Sequence, residues 1–152
     1  MFSKILVPID FSEYTDEILR YAVEIVKRFG SSLHLIHVVP GLDYFTPYES
    51  FMAAENIAAV QKGIEEEVKT QLEEVAGRIA GITVTETVRT GTAYAEIVDY
   101  AKSVGMDLII MGTHGRGGLE HIVIGSVAEK VVRRSPCPVL TIRPPKGHAK
   151  TP

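Results

Sequence analysis

The stretch DLIIMGTHGRGGLEHIVIGS, residues 107–126, decides the fold of this chain. An apolar run from Leu108 to Met111 leads into a loop with four glycines between positions 112 and 118, and Gly125-Ser126 closes the stretch. An apolar run without alternation predicts a strand that is covered on both faces. Glycines after such a strand let the backbone approach a ligand closely. The stretch therefore predicts a central buried strand with a candidate binding loop behind it.

Further strands are predicted along the rest of the chain. They are expected at Ile5–Ile9, Leu33–Val39, 82–88 and Val139–Ile142. The run 82–88 alternates apolar and polar residues, which is typical of a strand at a sheet edge with one wet face.

Apolar residues at helical spacing predict a helix after each of the first four strands. The predicted helices run from Ser12 to Gly30, along residues 57–79 to Gly81, from Thr92 to Gly105, and over Val127–Arg134. Ser12 and Thr92 offer N-caps, and the glycines offer C-terminal stops. Helical crossovers between parallel strands cover both faces of a sheet. The fold class is therefore α/β, a doubly wound, five-stranded parallel sheet in a three-layer sandwich of the flavodoxin or Rossmann kind.

Composition limits the classes of function. The chain has 152 residues and a formal net charge of -3. A nucleic-acid-binding protein is not expected, because such proteins carry a positive field. We expect one domain over residues 1–143 and a disordered tail over 144–152. The apolar runs are much shorter than the roughly 20 residues that span a membrane. The single Cys137 has no disulfide partner in the chain and favours a reducing, cytoplasmic setting.

The glycine loop has two interpretations, which its residues leave open. Glycine N–H groups turned inward form an anion cradle, and Ser126 opens a helix whose N-terminus favours phosphate. Alternatively, the loop only joins a strand to a helix, and Ser126 forms a capping box with Glu129.

Three familiar signatures are excluded. A Walker-type loop needs a Lys before Ser126, where Gly125 stands, and a dinucleotide fingerprint needs Gly where Glu120 stands. A phospho-acceptor receiver domain needs an Asp after the third strand, where Arg89-Thr90-Gly91 stands.

The spacing of Gly112, Gly115 and Gly125-Ser126 resembles the nucleotide-binding signature of the universal stress protein family, in its ATP-binding branch. The segment from Lys4 to Ser12 is similar to the first strand and turn of that family, and the resemblance spans residues 1–143. It implies the strand order 3-2-1-4-5. It also implies a homodimer paired through the last strand, Val139–Ile142.

The resemblance also implies site residues. Asp10 would hold the ribose, Val38 the adenine edge, and Pro8 and Ile9 would line the base pocket. The phosphates would be held by Gly112, Gly115, Gly125 and Ser126, with Arg116 offsetting their charge, and Met111 and Val127 complete the predicted set. An acid at the mouth of an apolar strand suits two ribose hydroxyls, although Asp10 has the alternative role of forming a turn before the helix.

We therefore expect a cytoplasmic, homodimeric protein that binds ATP, ADP or AMP, with or without Mg²⁺ or Mn²⁺, and acts as a stress-response sensor or regulator. It is not expected to be an enzyme, because no general base or Walker lysine is in place, and any hydrolysis would be slow or partner-dependent. Two alternatives stay open: a nucleotide-free dimeric interaction module of the same fold, and a flavin or other mononucleotide carrier.

The histidines and the aromatic segment carry less information. His34 and His37 lie three residues apart on a strand, so they point to opposite faces and do not pair as metal ligands. No protein-built metal site is expected. The segment Tyr44–Phe51 is interpreted as a flap that packs on the site or on a dimer neighbour.

Overall fold

A computed structural model describes residues 1–42, 54–114 and 124–143. Strands and helices alternate along these residues. They are β1 (Lys4–Pro8), α1 (Thr15–Phe29), β2 (Ser32–Val39), α2 (Ala54–Gly77), β3 (Val84–Thr90), α3 (Ala93–Val104), β4 (Leu108–Gly112), α4 (Ser126–Arg134) and β5 (Val139–Ile142). Gly115, Arg116, the segment Tyr44–Phe51 and the tail 144–152 lie outside the described residues.

The five strands form one parallel sheet in the order β3-β2-β1-β4-β5. This confirms the predicted fold class and strand order. Chain order reverses between β1 and β4, which pair through Ile5 with Leu108 and Leu6 with Ile109. The exposed and half-buried residues of β3 agree with its predicted place at an edge.

Each face of the sheet packs against its own pair of helices. Ile5 and Val7 lie in a buried cluster with residues of α1 and α2, whereas Leu6 lies in a second cluster with residues of α3 and α4. All three side chains are 0% exposed, which explains why β1 reads as a continuous apolar run.

Two predicted helix stops are confirmed. Gly30 and Gly105 follow α1 and α3 with φ of 67° and 72°, in the left-handed region that glycine adopts at little cost. Each donates its N–H to a carbonyl of the helix, Gly30 to Val26 and Gly105 to Ala101. Among the described helices, none has the length and apolar character needed to cross a membrane.

Two helix boundaries were predicted wrongly. α1 begins at Thr15 rather than at Ser12, because Ser12 is part of a turn in which its carbonyl accepts the N–H of Thr15 at 3.1 Å. α2 ends at Gly77 rather than at Gly81, and β3 begins two residues later than predicted. Ile79 and Ile82 still pack against the core, so the apolar spacing continues after the helix has ended.

Candidate functional site

The candidate site lies at the carboxyl ends of β1 and β4, where the strand order reverses. Asp10 follows β1, and the glycine loop follows Gly112 at the end of β4. Crevices at such switch points are where doubly wound proteins bind their ligands. The structure therefore brings Asp10 and the start of the glycine loop to one edge of the sheet.

Asp10 takes part in a turn and also leaves one oxygen available. Its Oδ1 accepts a hydrogen bond from the backbone N–H of Ser12 at 2.9 Å, so the turn role foreseen as an alternative is real. Between them, Phe11 has φ of 56°, which is strained for a residue with a side chain. Asp10 is half-buried, and within the described part of the chain its Oδ2 has no hydrogen-bond partner.

The residues predicted for the base pocket are divided between the two faces of the sheet. Met111 and Val38 belong to the cluster under α3 and α4, and Pro8 shares their face because it lies two residues after Leu6. Ile9 lies on the opposite face and is 4% exposed. The structure thus places Pro8, Val38 and Met111 on one face of the sheet. The side chains of Met111 and Ile9 are 6% and 4% exposed, so both lie in the core, on opposite faces.

The two ends of the glycine loop meet. The N–H of Gly125 donates to the carbonyl of Thr113 at 2.6 Å, and the N–H of Thr113 donates to the carbonyl of Ile142 at 3.0 Å. Gly112 and Ser126 each adjoin one of the bonded residues, so both lie at the base of the loop.

Both described glycines of the loop have a packing reason for lacking a side chain. A Cβ on Gly112 would lie 2.8 Å from Cδ1 of Ile18 and 3.2 Å from the carbonyl oxygen of His114. A Cβ on Gly125 would lie 3.1 Å from the carbonyl oxygen of Thr113. A side chain at either position would make its neighbours shift, so packing favours glycine here even without a ligand.

The start of α4 corrects the capping-box alternative. Gly125 is the N-cap, Ser126 is the first helical residue, and there is no side-chain capping bond. Glu129 instead pairs with Arg133 at 2.9 Å. Ser126 is exposed, and the first N–H groups of the helix, including that of Val127, have no intrahelical partner. Such a helix start favours an anion.

His37 was not predicted to belong to the site, yet it contacts the Asp10 turn. Its Nδ1 lies 2.6 Å from the carbonyl oxygen of Ile9. His34 points to the other face, where its Nδ1 lies 3.0 Å from the Tyr100 hydroxyl, so the prediction of opposite faces is confirmed. Burial, and to a lesser degree the charge of Lys4, lowers the pKa of His34. The spacing of histidines along one strand carries no signal of a contact between strands.

Within residues 1–42, 54–114 and 124–143, no three His, Cys, Asp or Glu side chains lie close enough together to hold a metal ion.

The fold is that of a doubly wound α/β protein with a candidate site at its topological switch point. The sequence profile described as "Universal stress protein family" matches residues 1–143. The chain belongs to that family.

Related proteins agree with this assignment. Universal stress protein MJ0531 of Methanocaldococcus jannaschii is 32% identical over 148 residues, which cover 96% of this chain and 85% of that protein. The solved structure of MJ0577 from the same organism is 30% identical, with a TM-score of 0.82, and the match covers 97% of this chain and 99% of that one. A universal stress protein from Archaeoglobus fulgidus, solved in complex with dAMP, is 25% identical, with a TM-score of 0.65 over 93% of this chain and 98% of that one.

Proposed function

We propose that the protein binds ATP, ADP or AMP at the switch-point crevice and acts as a homodimeric sensor or regulator in the cytoplasmic stress response. The observation that carries the proposal is the convergence of two groups at one sheet edge. The available oxygen of Asp10 suits ribose hydroxyls, and the start of α4 beside the closed glycine loop suits phosphate. The dAMP complex of the similar Archaeoglobus protein supports the choice of an adenine nucleotide.

Each part of the nucleotide is assigned to residues at this edge of the sheet. Its base lies at the ends of β1 and β2 beside the half-buried Pro8 and Val38, while Met111 and Ile9 support this edge from the core on opposite faces. Asp10 Oδ2 accepts hydrogen bonds from the ribose hydroxyls. The phosphates lie against the loop and the helix start, formed by Gly112, Gly115, Arg116, Gly125, Ser126 and Val127. A Mg²⁺ or Mn²⁺ ion would be held by the phosphates rather than by a protein cluster.

The proposed role is binding rather than catalysis. Among the described residues of the site, Asp10 can accept hydrogen bonds from hydroxyl groups. The glycine loop lacks the lysine that a P-loop has before its Ser or Thr. Any hydrolysis is expected to be slow or to need a partner.

The nucleotide-free interaction module remains a second candidate, because one observation favours it. Gly112 and Gly125 have packing neighbours that explain them without a ligand. Nucleotide titration separates the two candidates.

The test is calorimetric titration of the full chain with ATP and with adenosine. Ser126→Asp places a negative charge at the proposed phosphate end, so we expect ATP affinity to fall at least about tenfold while adenosine affinity stays close to that of wild type. Ser103→Asp makes the same change at an exposed position on α3 and should leave both affinities unaltered. A folded wild-type chain that binds no adenine nucleotide would support the interaction module instead.

Dimerisation is proposed through β5, which is an edge strand. Leu140 on β5 and Val132 on α4 are apolar and 38% and 47% exposed, and an apolar edge gains from being covered. Leu140→Lys should convert dimers to monomers in sedimentation velocity. Val60→Lys, at a 45% exposed apolar position on α2, is the control and should stay dimeric. A dimer that survives Leu140→Lys would move the interface elsewhere.

A further inference from the structure

His37 contacts both residues that flank Asp10. Its Nδ1 lies 2.6 Å from the carbonyl oxygen of Ile9, and its ring centroid lies 4.8 Å from that of Phe11. We propose that His37 is a positioning residue of the nucleotide site, which holds the Asp10 carboxylate where it meets the ribose hydroxyls. This inference rests on the proposed function.

The bond to Ile9 fixes where His37 carries a proton. A carbonyl oxygen only accepts, so Nδ1 must be the donor, whether the imidazole is neutral or charged. The N–H of Ile9 donates in turn to the carbonyl of Ile36 at 2.8 Å. β2 therefore holds the peptide groups on both sides of Ile9, the residue before Asp10.

The contact with Phe11 stabilises a strained conformation. A φ of 56° persists in a non-glycine residue only where its surroundings fix it. The Phe11 side chain packs on the buried core cluster of α1 and α2 and on the His37 ring. Removing His37 therefore weakens the contacts that keep the turn in this conformation.

The direction of the Asp10 carboxylate follows from this frame. Its Oδ1 is bound to the N–H of Ser12, beyond Phe11, so a relaxed turn would rotate Oδ2 away from its present position. His37 also directly precedes Val38, the proposed adenine contact, on the opposite face of β2. Two successive residues of β2 thus serve the two ends of one nucleoside.

Titration with ATP and with 2′,3′-dideoxy-ATP tests the positioning role, because the second ligand lacks the hydroxyls that Asp10 would bind. His37→Leu removes the donor and keeps an apolar side chain against Phe11. We expect its ATP affinity to fall about tenfold, towards that of the dideoxy analogue, whose own affinity stays within about twofold of wild type. His37→Asn keeps a nitrogen donor near the Nδ1 position and should retain most of the preference for ATP.

His34→Leu is the matched control, since His34 is on the same strand and its hydrogen bond lies on the opposite face. It should change neither affinity. Equal losses for both ligands in His37→Leu, or no loss for ATP, would overturn the positioning role. Should that variant not fold, loss of the ribose preference in His37→Asn would overturn it. If the wild type binds both ligands equally well, Asp10 does not bind the ribose hydroxyls and the inference about His37 is wrong. If the wild type binds neither ligand, the proposed function is wrong instead.

Discussion

The candidate site has a glycine corner, formed by Gly112 and Gly125, and an acidic corner, formed by Asp10 and its turn. The two differ in how far folding alone explains their residues. At the glycine corner, Gly112 and Gly125 each have a close neighbour that a side chain would displace. At the acidic corner, the turn uses Oδ1 of Asp10 and leaves Oδ2 without a partner among the described residues. A ligand is therefore better supported by the acidic corner and by the start of α4 than by the glycine spacing.

The largest effect is expected at the glycine corner. Gly112→Ala places a Cβ 2.8 Å from Cδ1 of Ile18, a buried side chain, and overpacking of this kind costs about 1–3 kcal/mol of unfolding free energy. ATP affinity should fall as well, because the strand end and the loop must shift. Urea denaturation and calorimetry measure the two losses.

Ile18→Val sharpens this test, because valine lacks the Cδ1 atom that the new Cβ would meet. Alone it should cost about 0.5–1.5 kcal/mol. Combined with Gly112→Ala, it should cost less than the sum of the two single changes and restore most of the ATP affinity. Additive costs would show that the clash with Ile18 is not the reason for glycine at this position.

Much of the fold could be predicted because its signals are local. Gly30 and Gly105 end helices through their own backbone conformation, and the apolar run of β1 reflects burial on both faces. The start of α1 could not be predicted in this way. The turn before it uses the Ser12 carbonyl for the N–H of Thr15 and has Phe11 at a positive φ, and an aromatic side chain does not signal such a turn.

The candidate site was predictable in its location and less so in its detail. Parallel topology places Asp10 and Gly112 at one edge as soon as the strand order is known. The contact of His37 with the Asp10 turn joins two strands, and its sequence position gives no signal of it. The two causes of a glycine, packing and ligand approach, select the same residue, so only neighbouring atoms such as Ile18 Cδ1 distinguish them.

A smaller effect is expected at the acidic corner, where two variants separate the turn role of Asp10 from its ribose role. Asp10→Asn keeps an Oδ1 acceptor for the N–H of Ser12, so the unfolding free energy should change by less than about 0.5 kcal/mol. The loss of charge should weaken the binding of ATP and adenosine alike, by about tenfold. Asp10→Ala removes the turn bond as well and should cost a further 0.5–1.5 kcal/mol, roughly, of stability. If Asp10→Asn leaves adenosine affinity unchanged, the acid only forms the turn, and the acidic corner would then be explained by folding as fully as the glycine corner is.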